Sequence, residues 1–189
     1  MPIDPPPGLA RFNASPAATA LAALRDVCAS RAWGTELLAR RPYPSLDAFL
    51  AAGDTATAGL TDGELADAVA GHPPIGRPKP GDPASAREQR GMAGASEELR
   101  AEMLELNLAY QELFGHVFLI CATGASGEQL RDALKARLRH TPERERVTVR
   151  AELGKINRIR LTRLAAEFVE EYAAEPAARP ATEPVAEGE

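Results

Sequence analysis

Three stretches of the sequence carry side chains that can do chemistry. The first is HPPIG at 72–76. His72 ends an apolar-periodic segment and precedes Pro73-Pro74, so a rigid turn fixes the backbone and holds the imidazole at a helix end. Imidazole titrates near neutrality and suits proton transfer. An imidazolium at the same place would equally cap the helix and favour its dipole. The second stretch is SAREQ at 85–89. Ser85 and Glu88 stand three apart and face the same way on a helical turn. That spacing fits a polar binding edge, and it also fits an ordinary capping box with Ser at the N-cap and Glu at N3. The third is Arg160. Leu153, Ile156, Leu164 and Phe168 mark the apolar stripe of a long final helix, and Arg160 falls on it, four residues from both Ile156 and Leu164. A buried guanidinium needs an oxygen partner. A substrate oxyanion or carbonyl at a pocket wall would serve, as would an internal Asp or Glu, and the side chain could also snorkel to water.

A fourth stretch, VFLICATGASGEQLRDAL (117–134), imitates the strand, glycine turn and helix of a dinucleotide-binding unit. It has only Gly124 and Gly127, lacks G-x-G-x-x-G, and is followed by residues that read as helix rather than a second parallel strand. The glycine turn is better read as a break between an apolar segment and a capped helix.

The elements that must position these groups are helical. Ser15-Pro16 reads as N-cap and N1 of a helix carrying Leu21, Leu24 and Cys28. A short helix from near Ser30 carries Trp33, Leu37 and Leu38 and stops at Arg41-Pro42, because the residue before proline avoids helical angles. Ser45 opens SLDAFLAAGD, and Thr61 with Glu64 is a capping-box pattern for TDGELADAVAG, with Gly71 at a left-handed C-cap. Residues 84–92 read as a short helix or turn. Ser96 opens a long helix with Leu99, Met103, Leu106, Tyr110 and Leu113, and a last pair begins near Ser126 and Pro142. HVFLICA (116–122) is the one strand-like run; with no partner strand it reads as a helix or a buried extended segment. The expected class is all-α, one compact domain of about seven to nine helices.

Composition sets the outer limits. Of the 16 prolines, four lie in residues 2–7, five in 73–83 and three in 176–184, marking tails or irregular structure. Residues 175–189 lack large apolar side chains and are expected to be a disordered Pro/Ala-rich tail. Residues 1–11 are expected to be a flexible segment and 12–174 the folded domain. The net charge of -5 argues against a nucleic-acid binder, which needs a basic footprint. It is mostly a property of the tail, which holds four acids and one Arg. No apolar run approaches the roughly 20 residues of a membrane span. The N-terminus does not read as a secretory signal and EGE is not a peroxisomal tripeptide, which gives a cytoplasmic expectation. Cys28 and Cys121 make no disulfide framework, and with three histidines no cluster at ligand spacing points to a metal.

Taken in order, Phe12-Asn13, SRAWGTELLARRPY (30–43), HPPIG (72–76), SAREQ (85–89), NLAYQELFGHVFLICATG (107–124) and KINRIRLTRL (155–164) resemble the 2-oxo-4-hydroxy-4-carboxy-5-ureidoimidazoline (OHCU) decarboxylases of uric acid breakdown. The resemblance covers about residues 12–168. It implies an all-helical homodimer, without cofactor or metal, that removes CO2 from the ureidoimidazoline to give (S)-allantoin. It implies His72 as proton donor, with Glu88 and Arg160 as the other catalytic side chains. Pro73 would line the site. Ser85, Ala86, Arg87, Glu88 and Gln89 would contact substrate, as would Arg160 and the backbone of Phe118, Leu119, Ile120, Cys121 and Ala122. The family commonly has Arg or Asp after its His-Pro pair, where this chain has Pro74. The alternative is the same helical fold binding a ureide, or another protein, without turnover. His72 and Glu88 distinguish the two: an enzyme brings them to one pocket with Arg160, a module leaves them on separate surfaces.

Overall fold

The computed structural model describes residues 5–168. Among these, nine α-helices and one short 3-10 turn account for the regular structure and no strand forms. The helices are α1 Pro7–Ala14, α2 Ala17–Val27, α3 Arg31–Ala39, α4 Leu46–Ala58, α5 Asp62–Ala70, α6 Pro83–Glu88, α7 Glu97–Phe114, α8 Gly127–Arg137 and α9 Pro142–Glu167. The 3-10 turn is Arg90–Met92. None of the helices is long and apolar enough to cross a membrane.

Local chemistry explains most helix starts. Ser30, Ser45, Ser96 and Thr141 each accept a hydrogen bond from a backbone N–H three residues on. Thr61 with Glu64 and Ser126 with Gln129 form complete capping boxes, satisfying two orphan donors each. Some caps differ from the sequence reading. Ser15 does not cap α2; its hydroxyl donates to Phe12 O at 2.8 Å and closes α1 instead. Gly71 has φ -74°, so it is not left-handed. The left-handed cap is Gly115, at φ 76° after α7.

The helix α1 begins within the stretch 1–11 that was expected to be a flexible segment. Pro7 sits at N1, where its missing N–H costs nothing, and starts α1 rather than preventing it. Leu9 and Phe12 are fully buried. The helix lies so close to α9 that a Cβ on Gly8 would stand 2.4 Å from Ala165 O, so only glycine fits there. The expected tail at 175–189 lies outside the described residues.

Burial divides into two apolar cores. One joins α1 to α5 with the inner face of α9, around Phe12, Trp33, Phe49 and Leu161. The other joins α7 and α8 around Met103, Tyr110, Leu130 and Leu134. Residues 117–122 run between them as irregular extended chain. Successive side chains of extended backbone point to opposite sides, and accordingly Phe118 enters the second core and Leu119 the first. The candidate cleft lies on this seam.

Candidate active site

His72 leaves the end of α5 and folds back on it. Its Nδ1 lies 3.0 Å from Ala68 O, one of the carbonyls that a helix C-terminus leaves without an intrahelical donor. A carbonyl only accepts, so Nδ1 carries a proton, and in the neutral ring the lone pair then lies on Nε2. Nε2 is buried and has no hydrogen-bond partner. The imidazole therefore caps its helix, but as a neutral donor rather than as a cation. Burial, followed by the nearby Arg160 guanidinium, lowers its pKa from the ordinary histidine value to about 4. This corrects the expectation of a titration near neutrality.

The loop after His72 is fastened from two sides. Gln89, at the end of α6, accepts from Gly76 N at 2.8 Å and donates to Pro74 O at 3.2 Å. Asn107 on α7 donates to Ile75 O at 3.0 Å. Pro74 is held through its carbonyl, which also accepts from Arg77 N at 3.0 Å.

Glu88 and Arg160 form a fork: Nε donates to Oε1 and Nη2 to Oε2, both at 2.7 Å. The third nitrogen, Nη1, donates to Val27 O at 3.0 Å at the end of α2. The side chains are 15% and 14% exposed, so the pair sits at the mouth of the site. Both charges act on His72 in opposite senses: Arg160 opposes its protonation and Glu88 favours it.

These parts meet at a narrow cleft. His72, Pro73, Glu88 and Gln89 line one side, and Phe118, Leu119, Ile120 and Ala122 the other. Ile75, Thr123, Ile156 and Ile159 complete the wall, and the sequence reading had not placed them in the site. Arg160 does not line this cleft itself; it faces an adjoining depression that it shares with His72 and Pro73. Of the expected contact residues, Ser85 is turned inward, accepting from Lys79 N at 2.9 Å and donating to Asp82 O at 3.2 Å. It is not an N-cap; Asp82 is, through Ala84 N. Ala86 and Arg87 are exposed and lie off the cleft wall. The thiol of Cys121 is also off that wall, its pKa raised by burial.

From the run 117–122, Phe118, Leu119, Ile120 and Ala122 line the cleft. Within the run, the Cys121 N–H donates to Glu152 Oε2 at 2.9 Å. The N–H groups of Leu119, Ile120 and Ala122 have no protein acceptor among the described residues. Behind the run lies a buried network absent from the sequence reading. Arg137 Nε donates to Glu145 Oε1 at 2.7 Å, Tyr110 donates its hydroxyl to the same oxygen, and His140 Nδ1 lies 2.8 Å from Oε2. Burial pushes the Glu145 carboxyl up, and the hydrogen bonds from Arg137 and Tyr110 more than offset this, leaving its pKa below the usual carboxylate range. No group of three or more His, Cys, Asp or Glu lies at metal-holding spacing among the described residues.

A family model for OHCU decarboxylase matches residues 13–162. An Arabidopsis thaliana protein, uric acid degradation bifunctional protein TTL, is 26% identical over 147 residues; the match covers 74% of this chain and 45% of that protein. The chain thus spans under half the length of that relative. A crystal structure of OHCU decarboxylase in the presence of (S)-allantoin superposes with a TM-score of 0.68 at 23% identity, over 76% of this chain and 96% of the other. A crystal structure of (S)-allantoin synthase gives 0.63 at 18% identity, over 82% and 53%. At these identities the two structures speak for the fold.

Proposed function

Because the chain belongs to the OHCU decarboxylase family, we propose that it removes CO2 from 2-oxo-4-hydroxy-4-carboxy-5-ureidoimidazoline to give (S)-allantoin, without a cofactor. The observation that carries this reading is the buried, partnerless Nε2 of His72 in a cleft shared with Glu88. A buried polar nitrogen without a protein partner is costly, and here it can accept from a bound hydroxyl.

Decarboxylation leaves an electron pair on carbon, and the substrate's own C=N group can take it up. A neutral imidazole first accepts the proton of the ring hydroxyl at Nε2. The bond from ring carbon to carboxylate breaks, CO2 leaves, and the pair moves onto the C=N nitrogen. The Nε2–H then gives its proton to the neighbouring carbon, which carries the ureido group, while the hydroxyl oxygen becomes a carbonyl. Solvent supplies one proton to the ring nitrogen, which balances the charge. His72 is thus acceptor first and donor second, consistent with its lowered pKa. The Ala68 contact fixes the ring, so delivery comes from one face and one enantiomer follows.

The rest of the cleft favours the same steps. Ile75, Phe118, Ile156 and Ile159 make an apolar wall where a carboxylate is poorly solvated and a departing neutral CO2 is not penalised. The free N–H groups of the extended run suit an oxygen that gathers negative charge. Arg160 adds a fixed cation at the mouth. The family resemblance implies a homodimer as well, and sedimentation measures it.

The binding-module reading has one observation in its favour: Arg160 is already satisfied by Glu88. Turnover separates the two. The protein is added to freshly generated OHCU and allantoin is followed by circular dichroism against a no-protein control, since OHCU decays by itself. Faster, enantioselective formation is expected; a trace matching the control leaves only a binding protein.

A further inference from the structure

The reaction proposed above needs residues 118–122 held in one conformation, yet this run has no partner strand. Extended backbone without a ladder must find its hydrogen bonds elsewhere. Two side chains supply them. Glu152 takes the Cys121 N–H, and Arg137 donates from Nη1 to Leu119 O at 2.6 Å. The Arg137 guanidinium also lies over the Phe118 ring, 4.8 Å from its centroid. One side chain thus grips the carbonyl of Leu119 and the ring of Phe118, at the point where the run crosses between the two cores.

We propose that Arg137 is a positioning residue for this reaction, with Glu145 as the anion that keeps it in place. This inference rests on the decarboxylase reading. Arg137 is 6% and Glu145 1% exposed, and neither lines the cleft. Arg137 comes from the last turn of α8 and Glu145 from the first turns of α9. The connection between these helices is short, so the clasp is set by the same turn that joins them. A planar guanidinium has donors to spare: two nitrogens hold the carboxylate while the third reaches the Leu119 carbonyl. With that carbonyl tied back toward α8, the N–H of the next residue, Ile120, is held turned away from Arg137, because the carbonyl and N–H of one peptide unit point in opposite directions. That N–H is among those without a protein acceptor. The grip therefore fixes the direction of a donor that Arg137 never touches.

Removing one charge alone would strand the other and could unfold the chain. The test pair is Arg137→Met with Glu145→Gln, which removes both charges and keeps similar volume, set beside Arg137→Lys. Cooperative thermal unfolding establishes that each variant is folded. Turnover of OHCU then gives kcat, KM and the enantiomeric excess of allantoin. The double variant is expected to keep KM within threefold, lose at least tenfold in kcat and lose enantiomeric excess. Arg137→Lys, which keeps a donor near Leu119 O, should recover part of kcat. A folded double variant with wild-type kcat and enantiomeric excess overturns the inference while leaving the decarboxylase reading intact. A wild-type protein without turnover overturns that reading and this inference with it.

Discussion

Glu88 and Arg160, 72 positions apart, share two parallel hydrogen bonds of 2.7 Å. The pair ties α6 to the middle of α9 and sits beside His72, whose protonation the two charges push in opposite directions. The sequence left open whether Arg160 served a substrate or an internal acid. In the structure it serves the acid, and that acid is the other expected catalytic residue.

Removing the two charges singly should move His72 in opposite senses. Glu88→Gln withdraws the anion and should lower the His72 pKa below about 4; Arg160→Met withdraws the cation and should raise it. Imidazole NMR titration of the two variants reads both signs. Shifts of the same sign in both would mean that refolding around the site outweighs the direct charge effect.

Glu88→Gln should also cost stability, since it leaves Arg160 without its counter-ion. For a pair with partial exposure we expect about 1–3 kcal/mol, below the cost of breaking a fully buried pair. Chemical denaturation measures this, and turnover should fall more steeply than the folded fraction does. Near-wild-type turnover per folded molecule would reduce Glu88 to an anchor for Arg160.

Arg160→Lys keeps a cation but loses the fork and the bond to Val27 O. At least tenfold loss in kcat/KM is expected, about 1.4 kcal/mol of transition-state stabilisation. The melting temperature should fall only modestly. Unfolding of the variant, with a substrate analogue still bound by what remains folded, would make the arginine structural.

His72→Asn should abolish proton transfer while an amide N–H can still reach Ala68 O. General acid–base groups contribute on the order of 10²–10⁴-fold, so a loss of at least about 10²-fold in kcat is expected, with the fold retained. The same residue sets an acid limit on stability. Its pKa is lower folded, about 4, than unfolded, about 6.5. The stabilisation is therefore complete above the unfolded value and is lost as pH falls toward the folded one. Between about pH 7 and about pH 4.5 the loss should be about 2–3 kcal/mol. Urea titrations at both values, repeated on His72→Asn, isolate this part from the carboxylates that titrate in the same range. An equal acid loss in the variant would assign the effect to those carboxylates.

What could be read from the sequence divides by range. Helix caps such as Ser30, Thr61 and Ser126 act on groups three residues away, so their patterns lie whole within a short window. The class and the His72 turn are local in the same way. Partnerships across the chain were not legible: nothing near Arg160 names Glu88, and Arg137 and Glu145 look like solvated charges in a polar stretch. Nor does anything near His140 show that its Nδ1 faces the buried Glu145 carboxylate. Leu9 and Phe12 are buried because α9 passes over them, which no window around residue 9 contains.

The approach of α1 to α9 decides which fragment of this chain can stand alone. Phe12 packs edge-on against Phe168 and beside Phe49, with ring centroids 5.7 and 5.2 Å apart. Arg11 Nε adds a 2.7 Å bond to Phe168 O. Cutting the gene at the edges of the family match, 13–162, would discard both ends of this closure. Loss of a single buried Phe side chain costs about 3–5 kcal/mol, a large fraction of the roughly 5–15 kcal/mol that holds a typical domain folded. A minimal expression fragment should therefore begin before Pro7 and run past Phe168, and tags belong beyond those points.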